Sequence, residues 1–525
     1  MSNWKSHVGA AALLCALSFA ASAQLTIARV SGGQIEGTAA NGIAAFKGIP
    51  FAAPPVGELR WKKPAPVVAW SGVKKATTYA PACMQDANML KFIGSPEGVS
   101  EDCLYLNVWT PAKSASERLP VMVWIYGGGF AAGATSSATY DGTRLAQKGV
   151  VLVSVAYRVG PLGFLAHPDL SRESGHGSGN YGLQDMIAGL EWVKANIAAF
   201  GGDPRNVTIF GESAGGIAVS MLSVSPAANG LFAKAISESG GNFAPPRHAA
   251  EGGQQTPTLA VAEQAGVNLF AKLGAKSLAD ARKLSAEELQ KALPPGLGGG
   301  FWPNFDGDVL PTDQYMLYSA GKFNDTPVLI GTNSDEGALF ARGNTTSAAY
   351  EKMIRDGYGD GADKILSANP HASDADAATA TKNIMRDSLF AWSTWTWARL
   401  QSSKGKGAAY VYYFDHRTPE SPAGATHAAE LGYVFRTLDA RGGQPRAEDT
   451  AMSELVSSYW VNFAKTGDPN GAGLPKWPAF TETSQQAMVF DAKSSARPVP
   501  NMTQLKALDA YYAWRRDEAK ARGTH

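Results

Sequence analysis

Short runs of apolar residues alternate with a helical pattern through the first half of the chain. Residues 121–126, 150–157 and 206–210 are rich in Val, Ile and aromatic side chains, which predicts strands. Between the last two runs, residues 183–200 carry apolar side chains at helical spacing. Near-continuous apolar strands joined by crossover helices are typical of a parallel sheet that is covered on both faces. The pattern therefore predicts an α/β protein with a mostly parallel central sheet flanked by helices.

The second half returns to strand-like runs, but longer helical stretches separate them. From about residue 251 to residue 293 the composition shifts to Ala, Leu, Gln and Lys, which is typical of helical material inserted outside a sheet. The chain is long enough for several domains, although large α/β units also reach this size. We expect one α/β domain over residues 24–525, with large helical insertions near 241–325 and 340–405.

The first residues have the three-part layout of a secretory signal peptide. Lys5 precedes an apolar run from Val8 to Ala20, and the small residues Ala21 to Ala23 follow it. The run is shorter than the roughly 20 apolar residues that span a membrane. We therefore expect cleavage after Ala23, removal of residues 1–23, a secreted or periplasmic protein, and no membrane span in the mature chain.

Charge and cysteine content narrow the classes of function. The 47 Lys and Arg residues nearly balance the 46 Asp and Glu residues, so the net charge of +1 gives no reason to expect nucleic acid as a partner. Removal of the signal would take Cys15 with it and leave Cys83 and Cys103. In an oxidising compartment such a pair most simply forms a disulfide, and two free buried thiols are the alternative. With so few cysteines and no paired His/Cys motif, we expect no metal site.

A G-x-S-x-G motif stands between a predicted strand and a predicted helix. The strand at residues 207–210 leads into Gly211-Glu212-Ser213-Ala214-Gly215, and an apolar run from Ile217 to Leu222 follows. A turn this tight leaves no room for bulky neighbours and holds the serine hydroxyl above the sheet at a helix N-terminus. Ser213 is therefore a candidate nucleophile.

A serine nucleophile needs a general base and a carboxylate that orients the base. In α/β hydrolases these groups follow the serine in the order acid, then histidine. The strand at residues 328–331 leads to Asp335 and Glu336, and spacing alone does not choose between them. His416 ends a strand beside charged residues, whereas His427 follows a loop of small residues that can reach the serine. The residues favour His427 and leave His416 open.

A run of glycines follows the first predicted strand. Gly127, Gly128 and Gly129 precede Phe130, and Tyr126 stands where many esterases have histidine in an HGGG-type loop. Without side chains, the backbone N–H groups of such a loop can approach a reacting carbonyl and stabilise its oxyanion. The run predicts an oxyanion hole.

Taken together, these motifs resemble those of the type-B carboxylesterases, the esterase family that includes the cholinesterases. The likeness extends from about Gly33 to the C-terminal helix. It rests on the following segments: Phe46 to Ala52, Glu101 to Asn107, the glycine loop with Phe130, Tyr157 to Val159, Gly211 to Gly216, and Gly424 to His427. The resemblance implies an α/β-hydrolase fold.

The resemblance also implies roles for individual residues. Ser213 is the expected nucleophile, Glu336 the acid and His427 the base, because this family uses Glu where many hydrolases use Asp. The expected donors to the oxyanion are the N–H groups of Gly128, Gly129 and Ala214. The family pairs the two mature cysteines, Cys83 with Cys103, and it implies structural ion pairs of Arg60 with Glu101 and of Arg158 with Asp185.

The expected function is hydrolysis of a small-molecule carboxylic ester, without a cofactor, through an acyl-enzyme formed on Ser213. Loops around Phe130, Phe301 and Trp302 are expected to build the substrate pocket. An amidase or lipase with the same triad is the alternative within enzymes. A non-catalytic cholinesterase-like binding module is the alternative outside them, and the intact triad argues against it.

Overall fold

The computed structural model describes residues 24–246, 256–294, 300–341, 345–440 and 442–521. The expected signal segment at residues 1–23 lies outside the described residues. Within the described ranges, no helix is both long enough and apolar enough to cross a membrane.

Sixteen strands are found in the described part of the chain. In chain order they are β1 (Ile27–Val30), β2 (Gly33–Glu36), β3 (Thr38–Ala40), β4 (Ile43–Pro50), β5 (Val73–Lys75), β6 (Ala82–Cys83), β7 (Val99–Ser100), β8 (Tyr105–Thr110), β9 (Leu119–Ile125), β10 (Val151–Val155), β11 (Gly202–Glu212), β12 (Lys234–Glu238), β13 (Val328–Asn333), β14 (Ala409–Phe414), β15 (Gln486–Phe490) and β16 (Ser495–Pro498).

The α-helices of the same residues pack around these strands. In chain order they are α1 (Ala87–Ile93), α2 (Thr143–Ala146), α3 (Gly160–Phe164), α4 (Pro168–Ser174), α5 (Tyr181–Asn196), α6 (Ala214–Leu222), α7 (Leu259–Leu273), α8 (Leu278–Lys283), α9 (Ala286–Lys291), α10 (Gln314–Ser319), α11 (Ser347–Tyr358), α12 (Ala362–Ala368), α13 (Asp374–Arg386), α14 (Trp392–Lys404), α15 (Leu431–Phe435), α16 (Ala447–Thr466) and α17 (Met502–Ala521).

An eleven-stranded sheet forms the centre of the protein, in the order β16-β15-β14-β13-β12-β11-β9-β10-β8-β4-β3. The pairings from β10 and β9 through to β15 are parallel, as the sequence pattern predicts. Both edges are antiparallel, through β16 on one side and through β8, β4 and β3 on the other. Val121 lies opposite both Val151 and Val207, and all three are buried, because helices cover both faces of the sheet.

The topology places three loops of chemical interest at one edge. The glycine loop follows β9, Ser213 follows β11, and Glu336 follows β13. Because these strands are parallel, their carboxyl ends meet at the same edge of the sheet, where open α/β sheets bind their ligands. The helices that follow β12 and β13 lie outside the sheet, as α7 to α10 and as α11 to α14.

Two ion pairs and one disulfide hold the chain next to this edge. Arg158 and Asp185 are both buried and form a bidentate pair, with Nε and Nη2 of the arginine 2.8 and 2.7 Å from the carboxylate oxygens. Arg60 donates in the same way to Glu101 at 2.7 and 2.6 Å. Cys83 and Cys103 form a disulfide with a sequence separation of 20 residues.

Removal of the disulfide is expected to lower stability and to spare the chemistry. Closing a loop of about 20 residues stabilises the folded state by roughly 3 kcal/mol in the chain-entropy model. The double variant Cys83→Ser/Cys103→Ser should therefore melt at a lower temperature and keep its kcat below that temperature. Calorimetry and ester hydrolysis, measured on the oxidised wild type in parallel, check this. An unchanged melting temperature would contradict it.

Candidate active site

Ser213 stands at the junction between β11 and α6 in a strained backbone conformation. Its φ of 55° and ψ of −124° are unfavourable for a residue with a side chain. The turn is held because its N–H donates to the carbonyl of Glu238 at 2.9 Å and its carbonyl accepts from Ile217. A Cβ on Gly215 would lie 2.1 Å from the carbonyl oxygen of Ile125, so only glycine fits there. The elbow predicted from the sequence is thus built by close backbone packing.

The glycine loop after β9 lies directly against Ser213. A Cβ on Gly127 would come within 3.0 Å of the Cβ of Ser213 and within 2.9 Å of Glu212 Oε2. Gly128 and Gly129 have φ values of 109° and 63°, a region that favours glycine. Ala214 is the first residue of α6, so its N–H has no acceptor within the helix. The glycine loop and the first residue of α6 therefore both border the nucleophile.

Glu336 is fully buried and anchored at both carboxylate oxygens. Oε1 accepts from the hydroxyl of Ser239 and, at 2.8 Å, from the backbone N–H of Asn333. Oε2 lies 2.5 Å from Nδ1 of His427. Asp335, the neighbouring carboxylate, instead lies 3.8 Å from Lys382 and is partly exposed. Of the two carboxylates, the structure brings Glu336 to the histidine.

The two candidate histidines have different partners. His427 is paired with Glu336, and its loop docks on the acid loop because the N–H of Asp335 donates to Ala425 at 2.8 Å. His416 is buried elsewhere, with Nε2 2.7 Å from Asp449 Oδ1. His427, and not His416, therefore shares a site with the acid.

Three further buried carboxylates surround this pair. Glu212 precedes Ser213 and has Oε1 3.1 Å from Nε2 of His427, without the alignment of a hydrogen bond. Glu430 accepts from the side chain of Asn333 at 2.5 Å, and Glu238 accepts from the indole of Trp460 at 2.9 Å. One oxygen of each of these three carboxylates has no hydrogen-bond partner among the described residues.

Burial and mutual repulsion shift the pKa of the groups in this cluster. Burial raises the pKa of Glu212 to about 7, with a smaller upward contribution from Glu336 that the histidine opposes. Burial and the charge of Glu212 raise the pKa of Glu430 to about 8. Burial alone would lower the pKa of His427, but the carboxylates of Glu212, Glu336 and Glu430 outweigh it and raise this pKa to about 9. The site therefore favours a positive charge on the imidazole.

Two aromatic rings contact the imidazole of His427. Phe390 stacks on its face, with ring centroids 4.7 Å apart and planes 19° from parallel. Phe340 meets it at a steeper angle, 5.2 Å away and 67° from parallel. Phe390 is completely buried, so its ring shields from water the face of the imidazole that it covers.

The three residues expected around the pocket lie beside the glycine loop. Phe130 is fully buried, and its ring lies 5.1 Å from Phe164 and 5.2 Å from Trp302. Phe301 is also buried, whereas Trp302 keeps part of its surface accessible. Trp302 is thus the most accessible of the three to a ligand.

Sequence reasoning missed the groups that set the electrostatics of the site. Glu212 occupies the variable position of the G-x-S-x-G motif, and Glu430 follows His427 by three residues, so proximity to known motifs could have indicated both. Phe390 and Glu238 lie far from His427 in sequence and carried no signal. Among the described residues, no group of His, Cys, Asp and Glu could hold a metal ion.

Comparisons with known proteins show the family to which the chain is similar. Residues 23–509 match the carboxylesterase family. The chain is 38% identical over 495 residues to the fumonisin B1 esterase of Sphingopyxis macrogoltabida, covering 88% of this chain and 85% of that protein. It is 37% identical over 494 residues to the para-nitrobenzyl esterase of Bacillus subtilis (strain 168), covering 91% of this chain and 97% of the relative.

A solved structure of a PNB esterase superposes with a TM-score of 0.81 at 34% identity, covering 92% of this chain and 99% of that one. The prediction of an α/β-hydrolase fold is therefore confirmed, as is the resemblance found in the sequence motifs. The match of nearly the whole chain, together with the two relatives above 30% identity, shows that the protein belongs to the carboxylesterase family.

Proposed function

We propose that the protein is a secreted serine carboxylesterase that hydrolyses small-molecule esters through an acyl-enzyme on Ser213. The observation that carries this proposal is the contact of 2.5 Å between Glu336 and His427, beside a serine held in a strained turn. A serine hydroxyl becomes a nucleophile when an oriented imidazole takes its proton. The family membership supports the same reaction class.

In the proposed mechanism, Ser213 Oγ attacks the ester carbonyl carbon while Nε2 of His427 accepts the hydroxyl proton. The N–H groups of Gly128, Gly129 and Ala214 stabilise the oxyanion of the tetrahedral intermediate. The intermediate collapses, the bond to the alkoxy group breaks, and His427 returns its proton to the leaving alcohol. Water then attacks the acyl-enzyme with His427 again as base, which releases the carboxylic acid and restores Ser213.

Export is the second part of the proposal. The signal-like pattern that ends at Ala23 and the disulfide between Cys83 and Cys103 both fit an oxidising compartment outside the cytoplasm. N-terminal sequencing of the protein recovered from the periplasm or the medium should identify Gln24 as the first residue.

Pre-steady-state kinetics test the acyl-enzyme. On mixing with excess p-nitrophenyl acetate, the enzyme should release a burst of p-nitrophenol close to one equivalent whenever deacylation limits turnover, and Ser213→Ala should show none. If the wild type released p-nitrophenol at a steady rate without a burst, and Ser213→Ala kept that rate, Ser213 would be excluded as the nucleophile.

The pH dependence of turnover should reflect the buried carboxylates. Only the neutral imidazole accepts the serine proton, so kcat/KM should rise with pH. Because the pKa of His427 is raised to about 9 and it titrates together with Glu212, the apparent midpoint should lie above 7. Glu212→Gln removes one negative charge and should move the midpoint to lower pH. A midpoint at or below 6.5 that does not move in this variant would contradict the account.

Substrate charge provides a further prediction. In cholinesterases a tryptophan in the loop closed by the disulfide binds quaternary ammonium, whereas residues 84–102 contain none here. Such a cation–π contact can be worth about 2 kcal/mol when it is desolvated. We therefore expect no preference for acetylthiocholine over an uncharged thioester of equal acyl length. A tenfold advantage in kcat/KM for the choline ester, lost in Trp302→Ala, would show that another ring supplies the site.

A further inference from the structure

The hydrogen bond from His427 to Glu336 fixes one atom of the imidazole but does not fix its plane. Glu212 Oε1 lies 3.1 Å from Nε2, but contacts at the two nitrogens leave the ring free to rotate about the axis that joins them. The face of Phe390 lies 4.7 Å from the imidazole and nearly parallel to it, and Phe340 closes another side at 5.2 Å. These contacts fix the plane.

Phe390 reaches the histidine because it sits on an unusual turn of helix. Helices α13 and α14 are joined by a π-helical turn, Asp387–Ala391, in which the N–H of Trp392 donates to the carbonyl of Asp387. A π turn adds one residue to a helical turn and is rare, and it is often found at functional sites. The added residue rotates the side chains that follow it relative to α13.

The turn is tied to the acid loop at its start. Arg386 is buried, pairs with Asp387 at 2.8 Å, and donates to the carbonyl of Ser334 at 3.3 Å. A Cβ on Gly337 would lie 2.0 Å from the carbonyl oxygen of Lys382, so α13 packs directly on the residue after Glu336. One helical unit thus contacts both the acid loop and the histidine.

We infer that Phe390 is a positioning residue for the general base, and that the π-helical turn serves to present its ring to His427. The inference rests on the proposed function of His427. The stacked face does two things during proton transfer: it holds the imidazole plane as the serine proton arrives, and it attracts the imidazolium that forms. Phe390 acts through the histidine and performs no proton transfer itself.

The test compares a variant that removes the ring with one that keeps it. Phe390→Leu keeps an apolar side chain next to the imidazole, but it lacks an aromatic face. We expect its kcat for p-nitrophenyl acetate to fall about tenfold with KM nearly unchanged. The low-pH limb of the pH profile of kcat/KM, here called the acid limb, should move about half a pH unit lower. The reason is that the ring of Phe390 no longer attracts the imidazolium. Phe390→Tyr keeps the ring and should restore both.

The matched control is Phe480→Leu. Phe480 is buried to a similar extent, but it packs at the far end of β14, where its N–H donates to the carbonyl of Ala409. This variant should lose stability without any change in kcat or in the acid limb. If Phe390→Leu fails to fold, Phe390→Met removes the ring with a flexible side chain and is read in the same way.

The inference is overturned if the folded Leu or Met variant keeps the wild-type kcat and acid limb, or if Phe390→Tyr loses as much as Phe390→Leu. Failure of the proposed function is a separate outcome. It would appear as hydrolysis retained by Ser213→Ala, whatever the Phe390 variants do.

Discussion

Replacing Ser213 with alanine is expected to lower kcat for p-nitrophenyl esters on the order of 10⁶-fold, and His427→Ala should cost nearly as much. The triad acts as one unit, so the loss of either member leaves only the catalysis that binding and the oxyanion hole provide. Glu336→Gln should cost somewhat less, because the neutral amide still holds the imidazole in place. Steady-state kinetics on purified, folded variants measure these losses.

His416→Ala is the matched control for the histidine assignment. His416 is buried, and like His427 it is paired with a carboxylate, but its partner is Asp449. Its replacement should reduce stability and leave kcat within about twofold of the wild type, since it touches none of the reacting groups. Loss of activity in His416→Ala with retention in His427→Ala would reverse the assignment.

Gly128→Ala is expected to lower kcat by about 10²–10³-fold, the usual effect of losing one oxyanion donor. The added methyl group would lie 2.3 Å from the carbonyl oxygen of Ala132, and the φ of 109° is unfavourable for alanine. The loop must therefore shift, and the N–H groups of Gly128 and Gly129 shift with it. Comparison of kcat and KM for the same ester checks the effect, which should appear mainly in kcat.

Gly321→Ala separates backbone strain from catalysis. Gly321 also has a positive φ, of 70°, but a Cβ there would meet no atom within 4 Å. This variant should lose about 1 kcal/mol of stability and keep full activity. Equal kcat values for the Gly128 and Gly321 variants would show that the glycine loop does not stabilise the oxyanion.

The sequence could predict the parts of the fold that follow from local pattern. The apolar runs at residues 121–126 and 206–210 lie within or beside β9 and β11, whose ranges in the structure are Leu119–Ile125 and Gly202–Glu212. Their parallel pairing also followed, because buried runs joined by helices require it. The outermost strands, β3 and β16, did not follow, since both are short and partly or fully exposed and give little hydrophobic signal.

The candidate site also has some features that follow from local sequence and others that do not. Ser213 and the glycine loop are read from contiguous motifs, whereas the choice between His416 and His427 needs contacts across more than 90 residues. The raised pKa of His427 depends on Glu212 and Glu430 becoming buried together, which no spacing reveals. Phe390 reaches the imidazole through a π-helical turn, and helical periodicity assumes a regular α-helix there. Long-range packing, and not local pattern, sets these features.

Covalent labelling tests the central claim most directly. A fluorophosphonate probe reacts with a serine that an oriented base has activated, and it does so in the absence of turnover. After incubation with the probe and digestion, mass spectrometry should find one adduct, on the peptide that contains Ser213, and none in Ser213→Ala. Labelling that is absent from the folded wild type, or that persists at another serine in Ser213→Ala, would contradict the assignment of Ser213, Glu336 and His427 as the catalytic triad.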